Sequence, residues 1–290
     1  MMDTERIRAE YLRNGVVLLR DFLSPDWLDK VTTAINKLHP EADPDRDQST
    51  TEGEEEGAKA DRSLSGSASG RDFGNWQSIP EIKELVSQSP LLKVLADIMA
   101  SHSLTFYFDQ VSVRPAHDRT LTPFHVEMSN YPFVGDQGCS VVIPVDKIPL
   151  ETCIKFVQGS HLWGKNYYPS SVRLAEDTEE LRAHSKDCEP VPDIRSIKTA
   201  MVLEWTMSPG DVLVYNMKTL VALNGNCTQH VQRSLITHWF GDDVRFKQRH
   251  WPIHPPLTGR LAADEHPSAD GDTFPLVYGQ LPAPRPASQE

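Results

Sequence analysis

The sequence lacks the features that mark a membrane protein or a disulfide-built scaffold. No apolar run approaches the roughly 18 residues of a spanning helix, and the start Met-Met-Asp-Thr-Glu-Arg has no apolar signal-peptide core. We therefore expect a cytoplasmic protein with no membrane span. The cysteines contain no C-x-x-C pair, which argues against a zinc or disulfide framework; they are Cys139, Cys153, Cys188 and Cys227.

Positive charge is also scarce. The 290 residues include 29 Lys and Arg against 41 Asp and Glu, which gives a formal net charge of −12. Binding to nucleic acid requires a concentrated positive field, so we do not expect a nucleic-acid partner.

Much of the acidity lies in one segment, residues 39–70. Between Glu41 and Asp61 there are nine acidic and two basic residues, and a Ser- and Gly-rich stretch follows. A segment this polar cannot bury enough apolar surface to offset the entropy lost on ordering. We predict a mobile, solvated surface insertion here.

Ahead of the insertion, residues 1–38 show the pattern of two helices around a short strand. The first helix ends at Gly15, and Val16–Leu19 follows as a buried strand. Ser24 and Pro25 are a helix N-cap and first-turn pair. Ser89-Pro90 repeats that signal later in the chain, so the first hundred residues are predicted to be mainly helical.

From about Leu104 the hydrophobic period changes to two, which predicts short strands separated by turns. We predict a single domain over 1–290 that is mainly β with flanking helices, with a jelly-roll core over 104–246. Residues 251–290 are proline-rich and are predicted to wrap the surface as extended chain. The predicted strands are Leu104–Val113, Cys139–Val145, Ile154–Val157, Ala200–Trp205, Asp211–Asn216 and Arg233–Phe240.

One tripeptide, His125-Val126-Glu127, has the composition of a metal site. On a strand, residues i and i+2 point to the same face, so an imidazole and a carboxylate could hold one metal ion. The motif alone is weak, because a His beside a carboxylate is more often an ordinary hydrogen-bonded pair.

The surrounding segments make the motif specific. FYFDQVSVRP, TPFHVEMSNYPFVGDQGCSVVIPVD, KFVQGSHLWGKNYYP, SPGDVLVYNMKTLVALNGN and RSLITHWFGDDVRF occur in this order. Together they resemble the phytanoyl-CoA dioxygenase family of Fe(II)/2-oxoglutarate oxygenases, in the branch that oxidises secondary metabolites such as meroterpenoids. The resemblance implies a double-stranded β-helix, a cupin-like jelly roll, with Fe(II) and 2-oxoglutarate as cofactors.

The resemblance assigns His125 and Glu127 to the first two iron ligands. The third ligand of the family has no match in this sequence. The distal His of the family falls here on Val221. The Arg that pairs with 2-oxoglutarate falls on Gln232, with Arg233 beside it. Arg233 can substitute only if the preceding loop absorbs a one-residue shift, since such a shift turns a strand side chain to the opposite face.

Other residues take roles by the same resemblance or by position. His161, in Gly-Ser-His, is expected to be structural, and His230 and His238 are the imidazoles near enough in sequence to replace the missing ligand. If a substrate pocket persists, we expect it to be lined by Phe124, Tyr131 and Trp163.

Two functions follow, and a third is weaker. The first is a non-catalytic subunit that pairs with and stabilises an active homologous oxygenase, and that need not bind iron or 2-oxoglutarate itself. A homodimer is the other assembly. The second is an active oxygenase that hydroxylates, desaturates or rearranges a small lipophilic substrate, using an unrecognised third ligand. The third is a metal-independent binding protein that uses the mouth of the barrel.

Overall fold

The computed structural model describes residues 3–42, 73–169 and 187–281. Most of the predicted acidic insertion, from residue 43 onward, lies outside these ranges, as do the last nine residues of the predicted proline-rich wrap.

The amino-terminal elements follow their capping signals. Helix α1 (Thr4–Asn14) ends at Gly15, whose φ of +78° places it in the left-handed region that glycine adopts without strain. A Cβ at Gly15 would lie 2.3 Å from Oγ1 of Thr219, so the position also requires a residue without a side chain. After β1 (Val16–Leu19), helix α2 (Pro25–Leu38) begins where Ser24 accepts a hydrogen bond from the backbone N–H of Trp27.

Two more helices precede the strands. Helix α4 (Leu91–Met99) begins at the Ser-Pro signal, and helix α3 (Pro80–Gln88) was not predicted. Both bury apolar faces against one side of the larger sheet, together with α1 and α2. Within the described ranges, no helix is long and apolar enough to cross a membrane.

Two antiparallel sheets form the core, and the predicted mainly β fold with flanking helices is confirmed. The strands after β1 are β2 (Ser103–Arg114), β3 (Thr122–Val126), β4 (Phe133–Val134), β5 (Gly138–Pro144), β6 (Ile154–Val157), β7 (Asn166–Tyr167), β8 (Cys188–Glu189), β9 (Val202–Glu204), β10 (Val212–Asn216), β11 (Leu220–Leu223), β12 (Gln232–Phe240), β13 (Arg245–Phe246) and β14 (Leu276–Gly279). The six-stranded sheet has the order β1-β10-β5-β12-β2-β14, and the four-stranded sheet has the order β3-β11-β6-β9. Two short pairs, β4 with β13 and β7 with β8, lie outside them.

The two faces of the larger sheet meet different partners. On the helix-facing side, Leu235 and Trp239 of β12 belong to the cluster that includes the helices. On the inner side, Ile236 packs against a cluster that contains Val221 and Phe156 of the smaller sheet. Because strand side chains alternate, even-numbered residues of β12 face the space between the sheets, where the family's site would lie.

The carboxyl-terminal region contributes to the larger sheet. β14 pairs with the start of β2 and forms an edge of that sheet, so this part of the predicted wrap is a strand.

Candidate functional site

His125 and Val221 lie directly opposite each other. β3 and β11 are antiparallel, and their register pairs His125 with Val221. Residues paired in this way present their side chains on the same face of the sheet. The side chain at position 221 is therefore next to the imidazole, where a third metal ligand would be needed, and it is a buried valine in an apolar cluster.

The His125 imidazole is oriented as a metal ligand would be. Its Nδ1 lies 2.9 Å from the backbone carbonyl oxygen of Pro123. A carbonyl only accepts, so in the neutral ring Nδ1 carries the proton and Nε2 keeps its lone pair.

Glu127 is placed differently from the sequence expectation. β3 ends at Val126, and Glu127 begins a short 3₁₀ helix instead of continuing the strand. Its carboxylate accepts two hydrogen bonds of 2.5 Å, from the hydroxyl of Tyr215 to Oε1 and from the hydroxyl of Ser140 to Oε2. Both carboxylate oxygens thus have protein donors that the sequence did not point to.

His238 extends this network. Ser140 gives its hydroxyl proton to Glu127, so its oxygen accepts from Nδ1 of His238 at 2.9 Å. Burial lowers the pKa of His238 to about 4, and the ring is therefore neutral at pH 7. Nε2 is left with a lone pair, buried and without a hydrogen-bond partner among the described residues. The ring also stacks on Phe108, with 4.1 Å between centroids.

These residues do not fit an iron ion as the family binds it. The arrangement supplies one free imidazole nitrogen at His125, a carboxylate engaged by two hydroxyls at Glu127, and no donor atom at Val221. Across the described ranges, no three His, Cys, Asp or Glu side chains converge in a way that could hold a metal ion.

At the position of the co-substrate arginine, a neutral glutamine is held by an arginine from the neighbouring strand and by a threonine. Gln232 accepts from Nη2 of Arg114 at 2.7 Å and donates to the hydroxyl of Thr152 at 2.8 Å. Arg114 lies opposite Gln232 in the β2–β12 pair and also donates to the backbone carbonyls of Thr152 and Asn224. Burial lowers the pKa of Arg114, which remains charged. Sequence analysis missed Arg114 because only the strand register brings it to this position.

Arg233 lies on the opposite face of β12, toward the helices. Its Nε and Nη2 donate to the two carboxylate oxygens of Asp146 at 2.8 and 2.9 Å, and Nη1 donates to Asn36 of α2 at 2.7 Å. The loop before β12 therefore does not bring this side chain between the sheets. Its guanidinium fork is occupied by a buried ion pair.

The three residues predicted to line a substrate pocket lie in or against one aromatic cluster. Tyr131 is buried, with its ring 5.3 Å from Tyr107 and 5.8 Å from His238 between centroids. Phe124 and Trp163 are partly buried against the same cluster. Phe124 alternates with His125 on β3 and thus faces away from the imidazole.

In the described part of the chain, neither His161 nor His230 forms a hydrogen bond with His125. His161 lies near the backbone carbonyl of Leu12, with 3.2 Å from Nε2 to the oxygen, and burial lowers its pKa. His230 is exposed in the loop before β12. The predicted roles of these residues and of the pocket stay predictions.

Comparisons with known proteins agree with this geometry at the level of the fold. The family model described as phytanoyl-CoA dioxygenase matches residues 11–234. Among curated proteins, no relative matches the chain.

Several solved structures are similar in fold. The non-heme alpha-ketoglutarate-dependent carbocyclase SnoK from nogalamycin biosynthesis is 17% identical, with a TM-score of 0.67 over 94% of this chain and 96% of that one. The epimerase SnoN, in complex with Fe³⁺, alpha-ketoglutarate and nogalamycin RO, is 16% identical, with a TM-score of 0.67 over 94% and 98%. EctD from S. alaskensis, with 2-oxoglutarate and 5-hydroxyectoine, is 16% identical, with a TM-score of 0.59 over 91% and 86%.

Proposed function

This chain belongs to the phytanoyl-CoA dioxygenase family, and from that premise we propose that it is a non-catalytic member, a subunit that pairs with and stabilises an active homologous oxygenase. The observation that carries the proposal is the pairing of Val221 with His125. A valine has no lone pair, so the site offers an incoming iron ion only two of the three protein ligands of the family pattern.

Three further features agree with loss of catalysis. Tyr215 and Ser140 occupy both oxygens of Glu127, so a metal ion would have to compete with two hydrogen bonds to a charged group. The co-substrate position is Gln232, which lacks the charge that holds a dicarboxylate. Arg233 cannot replace it without breaking its buried pair with Asp146.

The role beside a homologue is supported by the intact fold. The two sheets pack with three buried apolar clusters between and beside them. A chain that keeps the family fold can present to a relative the surface that two identical subunits would share. Because SnoK and SnoN belong to nogalamycin biosynthesis, we propose secondary-metabolite oxidation as the setting.

The metal test uses a restored ligand as its positive control. We expect purified protein to bind no stoichiometric Fe(II) or Co(II) and to consume no 2-oxoglutarate. Val221→His should create a Co(II) site with visible absorption, because position 221 shares a face with His125. The matched control is Ile236→His, in the same apolar cluster but on β12. Stoichiometric iron and 2-oxoglutarate turnover in the unmodified chain would overturn the proposal.

The subunit role is tested separately. The chain is co-expressed with an intact homologue of the same family, and the complex is measured by native mass spectrometry and metal analysis. We expect a heterodimer with one iron per pair and a higher melting temperature than the homologue alone. Independent purification of the two chains, with unchanged stability of the homologue, would contradict this role.

A second candidate, an active oxygenase acting on a small lipophilic molecule, is favoured by one observation. His238 has a buried nitrogen with a free lone pair, and its Nδ1 lies 3.9 Å from Oε2 of Glu127. Because Nδ1 is bonded to Ser140, Nε2 is the atom that would have to serve as the third ligand. His125→Ala distinguishes the candidates, since substrate oxidation should disappear in an active enzyme and the heterodimer should persist in a non-catalytic subunit.

A further inference from the structure

A separate cavity of about 190 Å³ lies next to the short 3₁₀ helix that begins at Glu127. Val126 and Met128, the neighbours of Glu127, form part of its wall, and Tyr167 and Trp251 contribute aromatic side chains. The cavity is smaller than a typical drug-sized site, so it suits a compact molecule.

The lining is cationic in a chain that is acidic overall. Four cationic side chains line the cavity against one carboxylate, that of Asp187. Two of the cations are neutralised at the rim, because Lys165 pairs with Glu189 at 3.1 Å and Lys218 pairs with Asp136 at 2.7 Å.

The other two cations, Lys247 and Arg249, have no carboxylate within 4.0 Å among the described residues. Arg249 is half-buried and donates only to neutral carbonyl oxygens, those of Met128, Tyr131 and Phe133. Burial lowers the pKa of Arg249. A cation in such surroundings is stabilised by an incoming anion.

Arg249 also keeps donors for a ligand. Its Nη1 group has no hydrogen-bond partner among the described residues, and it is not among the fully buried atoms. The guanidinium lies 5.4 Å from the centroid of the Trp251 ring, which is within cation–π distance. A planar fork with free N–H groups suits a carboxylate or phosphate.

We propose that this cavity binds a small molecule in which an oxyanion, a carboxylate or a phosphate, is attached to a planar apolar group. The oxyanion lies against Arg249 and Lys247, and the apolar part lies against Trp251 and Tyr167. Binding requires no iron and no partner chain, so failure of this proposal leaves the proposed function untouched.

The test uses benzoate, phenyl phosphate and the neutral isostere benzamide, titrated calorimetrically into the full chain. We expect either or both anions to bind at least tenfold more tightly than benzamide, and the stronger of the two identifies the oxyanion. Lys247→Met should weaken anion binding about threefold, and Lys218→Met/Lys247→Met about tenfold, because each removes a partly solvated charge. Lys198→Met, an exposed lysine that does not line the cavity, is the matched control.

The location is tested with the chain's own cysteines. Cys188 lines the cavity and Cys227 is exposed elsewhere. We expect a saturating anion to slow alkylation of Cys188 by iodoacetamide and to leave Cys227 unchanged, as measured by peptide mass spectrometry. Equal binding of benzoate and benzamide, no binding of any probe, an equal loss in Lys198→Met, or equal protection of both cysteines would overturn the proposal.

Discussion

The two faces of β12 show opposite outcomes for buried charge. On the helix-facing side, Arg233 forms a complete ion pair with Asp146 and a further bond to Asn36. On the inner side, the adjacent Gln232 is neutral and is held by Arg114 and Thr152. The structural arginine, Arg233, is thus only one residue away from position 232, where the family pattern has an arginine that binds 2-oxoglutarate.

This difference is what the proposed non-catalytic role leads us to expect. On the helix-facing side, three hydrogen bonds from its side chain hold Arg233 in place, whereas the inner side has a valine at position 221 and a glutamine at position 232. Under the proposed function, these two residues affect only the binding of iron and 2-oxoglutarate and do not change the fold.

The largest expected effect comes from breaking the ion pair between Arg233 and Asp146. Arg233→Met should lower the free energy of unfolding by about 3 to 5 kcal/mol, because it leaves the partly buried carboxylate of Asp146 without its partner. Urea denaturation measures the change.

A double variant distinguishes the loss of the ion pair from the loss of side-chain packing around Arg233. Arg233→Met/Asp146→Leu should recover most of the lost stability, since it removes the orphaned charge. A loss below about 1 kcal/mol in the single variant would show that Arg233 is free for another role, such as binding 2-oxoglutarate.

The fold could be predicted from periodicity and caps. Val16–Leu19 and each of the six strands predicted from Leu104 onward have a counterpart, since alternation marks strands that have one face in a core. Ser24 and Gly15 bounded the helices as predicted. Helix α3 was missed because Ile79 at its N-cap makes no side-chain capping bond. β14 was missed because a short edge strand among prolines carries little alternation.

The next largest effect concerns Glu127. Glu127→Gln should cost about 2 kcal/mol of stability, because one of the two hydroxyls that donate to the carboxylate would face an NH₂ group. Tyr215→Phe should cost about half as much, since the Ser140 bond survives. Thermal unfolding in the presence of EDTA measures both, which excludes any contribution from metal.

If Glu127 mainly serves a metal ion, the result reverses. The two hydroxyl bonds would then add little to the stability of the metal-free protein, and Glu127→Gln would be neutral in EDTA.

A smaller effect follows on the inner face of β12. Gln232→Arg should cost about 1 kcal/mol, because it sets two guanidinium groups opposite each other in place of a 2.7 Å hydrogen bond. The exchange Arg114→Gln/Gln232→Arg should restore stability, since it reverses the same pair. Chemical denaturation of the three proteins measures the coupling, and an additive double variant would contradict direct contact.

The site was less predictable than the fold for a physical reason. The motif identified His125 and Glu127, but their surroundings depend on the register of distant strands. Tyr215 and Arg114 reach Glu127 and Gln232 only through β10 and β2. The change from strand to 3₁₀ helix at Glu127 also could not be read from the alternation of apolar residues, which would have continued β3 through this position.

The smallest expected effect is the response of the unmodified chain to metal. A ligand that binds the folded state raises stability by about 2.7 kcal/mol at one hundred times its dissociation constant, which shifts a melting temperature by several degrees. With Val221 opposite His125, we expect anaerobic Fe(II) and EDTA to give melting temperatures equal within error. Val221→His should respond to Fe(II) and Ile236→His should not. A shift of about 3 °C or more in the unmodified chain would mean that another side chain completes the site, and His238 would then be the first to replace.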